Sequence, residues 1–193
     1  MSLDNSRAAD PRSGIVRVVL TGAESTGKTT LSRRLADHYG CPLVEEQLRR
    51  FVEMKGALPA YEDLAAILDL HRTAQEQAIR EATSNGHALV ILDADPLSLK
   101  VFWTYVFGAV PDEIEQYQFA DLYLLLATDI PWEADPGQRD GPHVREATQP
   151  IFRRFLEEAG VPFTSVEGDA FARFDVARRI IDETLERGRS AQV

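Results

Sequence analysis

Residues 22–29 read Gly22-Ala-Glu-Ser-Thr-Gly27-Lys28-Thr29, a full G-x-x-x-x-G-K-[ST] spacing. Glycine at both ends lets the backbone turn so that successive N–H groups, with Glu24, Ser25, Thr26 and Thr30 among their residues, converge on phosphate oxygens. The helix that follows adds its N-terminal dipole. Lys28 then reaches the β/γ-phosphates as a point charge, and the Thr29 hydroxyl ligates Mg²⁺. The implied cofactors are ATP and Mg²⁺, but such a loop names the nucleotide and not the reaction. The Asn-Lys-x-Asp tetrapeptide that reads guanine and the Leu-Ser-Gly-Gly signature of ABC-type ATPases are both missing from the sequence.

Carboxylates follow two of the apolar runs. ALVIL ends in Asp93-Ala-Asp95, and PLV ends in Glu45-Glu46. Phosphoryl transfer needs one carboxylate on the metal side and another near the acceptor hydroxyl to take its proton. Asp93, first past its run, suits the metal. Asp95 and Glu46 are the candidates for acceptor binding and general base. Asp95 before Pro96 suits a helix N-cap equally well. Glu46 and Arg49, at i and i+3, suit an acceptor contact or an ordinary surface ion pair.

Residues 131–143 form a Pro- and Gly-rich tract holding Trp132, Asp135 and Arg139. A loop of this kind, taken as a lid over about 131–145, can close on the triphosphate, bring the Arg139 guanidinium to the transferring group and exclude water. Trp132 and Asp135 are assigned to the acceptor, and Arg153 and Arg154 to a solvated face. Gln75, polar on an apolar stripe, is assigned to the acceptor as well. Arg173, just past the last apolar run, is a candidate for stacking on adenine. The four histidines show no metal-ligand spacing.

These groups need a scaffold that brings them together. Short apolar runs at Ile15–Thr21, 42–45, 88–92, 122–127 and 162–166 alternate with segments of helical spacing. That alternation predicts an α/β fold: right-handed βαβ units around a parallel five-stranded sheet flanked by helices. Ligands bind such sheets beyond the carboxyl ends of the strands, where the loop and the carboxylates lie. Between the second and third runs, Leu64, Ile67, Leu68, His71, Ala78 and Ile79 form a core-facing stripe. Phe171, Phe174, Ile181 and Leu185 form another in the last segment.

The 193 residues, 44% hydrophobic and 27% charged, fit one domain. We place it at 15–189, after a polar, disordered lead-in at 1–14 and before a tail at 190–193. The single Cys41 can neither bridge internally nor form a metal cage. The longest apolar run falls far short of the roughly 20 residues that span a bilayer. A net charge of −10 argues against nucleic-acid and membrane partners. A cytoplasmic enzyme acting on a small molecule is expected, with a homo-oligomer possible.

With the loop, the strand-end carboxylates and Pro-Trp-Glu-Ala-Asp at 131–135 ahead of Arg139, the chain resembles the NadR-type ribosylnicotinamide kinases over about Val16 to Leu185. The resemblance implies transfer of the γ-phosphoryl of ATP to the ribose 5′-hydroxyl of nicotinamide riboside, giving nicotinamide mononucleotide. It also implies Lys28 and Thr29 on ATP and Mg²⁺, Asp93 and Asp95 facing metal and ribose, and Arg139 as the lid arginine. Regulator-type members also carry a DNA-binding module and an adenylyltransferase, so a stand-alone kinase is expected. Where that family places a Trp ahead of Glu-x-x-Arg, this chain has Glu45. Phe102, Trp103, Tyr105 and Phe107 then provide either a replacement aromatic wall or packed core. The other readings are a kinase of another nucleoside, a nucleotide or a small metabolite, and a non-catalytic ATP-binding switch.

Overall fold

The alternating runs form one parallel sheet. A computed structural model describes residues 14–110, 112–133 and 141–190. The strands are β1 (Val16–Thr21), β2 (Leu43–Val44), β3 (Leu89–Asp93), β4 (Leu122–Leu126) and β5 (Phe163–Val166). The helices are α1 (Lys28–Tyr39), α2 (Gln47–Lys55), α3 (Leu64–Asn85), α4 (Pro96–Phe107), α5 (Pro142–Ala159) and α6 (Ala170–Ser190). The sheet order is β2-β3-β1-β4-β5, with every neighbouring pair parallel. Most of the lead-in, the centre of the lid with Asp135 and Arg139, and the last three residues lie outside the described residues.

Burial on both faces explains why the strands read as continuous apolar runs. Val18, Leu20, Leu89, Ile91, Leu122 and Leu124 point to the layer of α1 and α6, packing on Leu35, Ala177 and Ile181. Their neighbours Val19, Val90, Leu92, Tyr123 and Leu125 point to the opposite layer, against Ala78, Val101 and Phe152 of α3, α4 and α5. The α3 stripe is inward as expected, with Leu64, Ile67, His71 and Ala78 buried. The α6 stripe is only partly so. Ile181 is buried, but Phe171 is 65% exposed, because Arg173 takes the inward position in the first turn.

This order sets the site. β1 and β3 are adjacent, with Leu20 paired to Asp93, so the loop after β1 and the carboxylate ending β3 emerge side by side. The second strand is shorter than its run suggests, and Glu45 and Glu46 lie beyond it.

His71 is 3% exposed, and burial holds its imidazole down at about 4, against an ordinary 6.5. Tyr117 Oη and Gln75 complete its polar surroundings: Tyr117 lies 3.2 Å from the His71 Nε2 and donates to Gln75 Oε1 at 2.6 Å. The unfolded chain takes up the proton first as pH falls. The contribution of neutral His71 is therefore complete above about pH 6.5 and lost progressively toward about 4. Buried Asp95, raised to about 6, works in the opposite sense, so the informative comparison is with His71→Gln. Between pH 7 and 4, urea unfolding should show the wild type losing stability relative to that variant, by on the order of 3 kcal/mol. Parallel pH profiles would contradict this account of His71.

Candidate active site

Gly22 opens the loop at φ +128°, and a Cβ there would lie 2.9 Å from the Leu126 carbonyl oxygen. Both the dihedral and the close approach demand glycine. Gly27 closes it in the left-handed region and caps α1. Thr26 is fully buried and donates to the Ala23 carbonyl at 2.8 Å. The Lys28 ammonium donates to the carbonyls of Gly22 at 2.9 Å and Ala23 at 2.8 Å. Two of its three protons are thereby directed into the loop.

Three residues of later helices grip the same loop. Arg173 is 3% exposed and donates to the carbonyls of Thr26, Ala127 and Gly168 and to the Asp129 carboxylate. Its guanidinium is therefore fixed beside the loop, with its donors directed at these four groups. Gln149 of α5 accepts from the Ala23 N–H and donates to the Leu126 carbonyl, each at 2.9 Å. Arg145, 5% exposed, donates to the carbonyls of Thr128, Ile130 and, at 3.5 Å, Ser25. The Ser25 hydroxyl meets the Glu133 backbone at 3.0 Å, tying the segment after β4 to the loop.

Sequence reasoning did not assign Gln149 or Arg145 to the loop. Both fall on the inward stripe of α5 at i and i+4, with Phe152 three residues on, so a polar pair on an apolar face was the available signal.

Asp93 is 2% exposed, and burial raises its carboxyl above the usual range, opposed by the hydrogen bond to Thr29 and by nearby Lys28 and Arg49. Its Oδ1 is buried with no hydrogen-bond partner among the described residues. An orphaned carboxylate oxygen beside a threonine hydroxyl fits a small divalent cation that keeps most of its shell as water and phosphate oxygen. Among the described residues no cluster of three or more His, Cys, Asp or Glu suits a metal, so this pair is the candidate. Nearby Glu46 raises the Asp93 carboxyl further. Glu46 precedes α2 and pairs with Arg49 at 3.5 Å.

A cleft of about 940 Å³ joins these groups. Gly22, Glu24 to Thr30 and Arg173 line one half, and Glu46, Arg49, Leu48, Val52, Ser98, Phe102 and Tyr105 line the other. Of the four candidate aromatics, Phe102 and Tyr105 face the cleft. Trp103 and Phe107 pack in the core with Leu99 and Ile114.

Other assignments need correction. Asp95 is 3% exposed and does not line the cleft, because its carboxylate caps α4 and accepts from Tyr123. Gln75 is held by Tyr117 away from the cleft wall. Trp132 does not line the cleft, and its buried indole N–H has no partner among the described residues. Glu45 is exposed and pairs with Arg33 at 3.2 Å, so it does not occupy a ring platform.

Residues 17–173 match the model of the AAA domain family, and the chain belongs to that family. Among solved structures it is similar to NadR protein in complex with NR, at 25% identity and a TM-score of 0.68, covering 91% of this chain and 53% of that one. It is similar to NadR protein in complex with NAD and AMP-PNP at 25% identity and a TM-score of 0.67, covering 91% and 51%. Thymidylate kinase from Ehrlichia chaffeensis shares the fold at 16% identity and a TM-score of 0.61, over 86% of this chain and 99% of that one. The chain spans about half the length of the NadR chains. No curated protein matches it. The likeness to NadR agrees with the resemblance carried by the motifs, and the fold is that of a NadR-type small P-loop kinase.

Arg173→Ala should leave the Thr26, Ala127 and Gly168 carbonyls short of a donor, lowering stability by about 3 kcal/mol and weakening ATP binding with it. Thermal unfolding and calorimetric titration with an ATP analogue check this. Weakened binding at unchanged stability would instead indicate a direct contact of Arg173 with the nucleotide.

Proposed function

We propose that this chain is an ATP-dependent kinase of a small molecule, most simply one that phosphorylates the ribose 5′-hydroxyl of nicotinamide riboside. The observation that carries the reading is one cleft, which has a phosphate-binding loop at one end, an apolar and aromatic wall at the other, Glu46 in its lining, and Asp93 buried close behind beside Glu46 and Thr29. The likeness to NadR in complex with NR supports the choice of acceptor.

The loop amides and the free proton of Lys28 hold the β- and γ-phosphates at the N-terminus of α1. Thr29 and Asp93 would hold Mg²⁺, which neutralises charge on the phosphates when bound. The acceptor hydroxyl attacks the γ-phosphorus, its proton passes to the Glu46 carboxylate, and ADP leaves with the electrons of the broken P–O bond. With Asp95 turned into the core, Glu46 and Glu53 are the carboxylates lining the acceptor side of the cleft, and Glu46 is the one beside Asp93. Arg49 at i+3 holds Glu46 in place through an ion pair.

The wall also favours a riboside over a nucleotide. Among the described residues lining the acceptor half, Arg49 is the cation, and it faces Glu46. Arg50 and Arg72, the other candidates for a second phosphate, do not line the cleft, and Arg72 pairs with Asp69 at 2.8 Å. An acceptor monophosphate would bring two more negative charges toward Glu46 and Glu53 with little to offset them.

Mass spectrometry of a reaction with Mg-ATP and nicotinamide riboside should show a product heavier by one phosphoryl group, absent with Lys28→Ala. Product with other ribosides alone would keep the kinase and move the acceptor, and no product with any riboside would overturn the proposal. Glu46→Gln should cut kcat by about 100-fold or more while leaving the affinity for ATP intact, as expected for loss of a general base. A drop confined to acceptor KM would assign Glu46 to binding instead.

A further inference from the structure

Two carboxylates separated by one residue face opposite ways at the end of β3. Ala94, between them, stands at φ +68°, a left-handed conformation that disfavours a residue with a Cβ. That rotation sends Asp93 toward Thr29 and Asp95 into the core. Strain of this kind persists only where its surroundings over-determine it, and the contacts of Asp95 are what fix it here. Its Oδ1 accepts from the Leu97 N–H at 3.0 Å, and its Oδ2 accepts from the Tyr123 hydroxyl at 2.6 Å. Tyr123 Oη in turn accepts from the Ala120 N–H at 3.3 Å, and the Ala94 N–H donates to the Leu20 carbonyl at 3.0 Å. The start of α4 is therefore docked on β4 through one side chain and anchored to β1 through the backbone. Ser98, Phe102 and Tyr105, the polar and aromatic groups of α4 that line the cleft, lie one to three turns along from that anchor. Ser98 Oγ, 3.3 Å from Thr21 Oγ1, also meets the last residue before the phosphate loop.

We infer that Asp95 is a positioning residue: by capping α4 and docking it on Tyr123, it sets the acceptor wall of the cleft and the direction of Asp93. The inference rests on the kinase reading for its catalytic consequence and on geometry alone for the placement of α4. Asparagine keeps a carbonyl oxygen for the Leu97 N–H and offers its amide to Tyr123 Oη. Alanine keeps neither. A group that exchanges a proton with substrate would not survive the asparagine change, whereas a cap does.

The test compares the wild type with Asp95→Asn, Asp95→Ala and Tyr123→Phe in two assays. One is hydrogen exchange of the amides of 96–103 in the full chain. The other is steady-state transfer to nicotinamide riboside, with ATP-analogue affinity measured alongside. Asp95→Ala should speed exchange in the first turns of α4 and raise acceptor KM at least about fivefold, the scale of a lost N-cap, with ATP-analogue affinity within about twofold of the wild type. Asp95→Asn should restore both readouts, and Tyr123→Phe should shift both in the direction of the alanine variant. Should Asp95→Ala fail to fold, Asp95→Asn and Tyr123→Phe carry the same comparison. Asp95→Asn losing kcat at unchanged acceptor KM would overturn the inference in favour of a chemical role. Variants that leave α4 exchange unchanged would overturn it outright. If the wild type transfers no phosphoryl group, the kinase reading fails, and the exchange result still decides the placement of α4.

Discussion

A loop that turns its amides outward toward a phosphate turns carbonyls inward, and a buried carbonyl needs a donor. Much of this structure answers that requirement. Lys28 supplies the Gly22 and Ala23 carbonyls, the Thr26 hydroxyl adds a second donor to Ala23, Arg145 reaches Ser25 and Arg173 reaches Thr26. The Gly27 carbonyl accepts from Leu31 in the first turn of α1. The Ala23 amide is the exception to the outward rule, and Gln149 takes it. Donors thus come from the loop itself, from α5 and from α6. The anion site is a property of the whole α/β unit more than of its eight-residue motif.

The sheet order serves the same end. Placing β3 and β4 on either side of β1 brings Asp93 from one neighbour and the Leu126 carbonyl from the other against the loop. Gly22 can pass so close to Leu126 only because it lacks a Cβ. On the far side, α4 leaves β3 over the acceptor end of the cleft, with α2 facing it. Its Phe102 and Tyr105 give the wall an aromatic surface while Trp103 and Phe107 close a separate cluster with α3. Distribution around one helix, i and i+3 to the cleft, i+1 and i+5 to the core, makes wall and packing from a single aromatic-rich stretch.

How much of this the residues declare in advance depends on the range of the interaction. The loop, its lysine and its threonine are legible because every requirement is met within eight residues. Asp93 is legible because a carboxylate that ends a buried strand has nowhere else to lie in a parallel sheet. Asp95 is not, since Asp-x-Asp-Pro reads equally as a reactive pair or as a cap, and the left-handed turn at Ala94 that decides between them has no glycine to announce it. Arg173 and Gln149 are illegible for a different reason. Their partners in the loop lie more than 120 residues away, and an arginine or glutamine on a helix carries no mark of a carbonyl or an amide so distant in the chain. Gln75 shows the converse error: a polar residue on an apolar stripe can serve the core, here by receiving Tyr117.

The central claim is that the loop is already shaped for phosphate and reads the triphosphate rather than the base. Calorimetric titration of the protein with a non-hydrolysable ATP analogue in Mg²⁺, repeated in the presence of inorganic tripolyphosphate, tests it most directly. The account predicts one binding site per chain and competitive displacement by tripolyphosphate. Absence of analogue binding, or binding that tripolyphosphate leaves untouched, would contradict it.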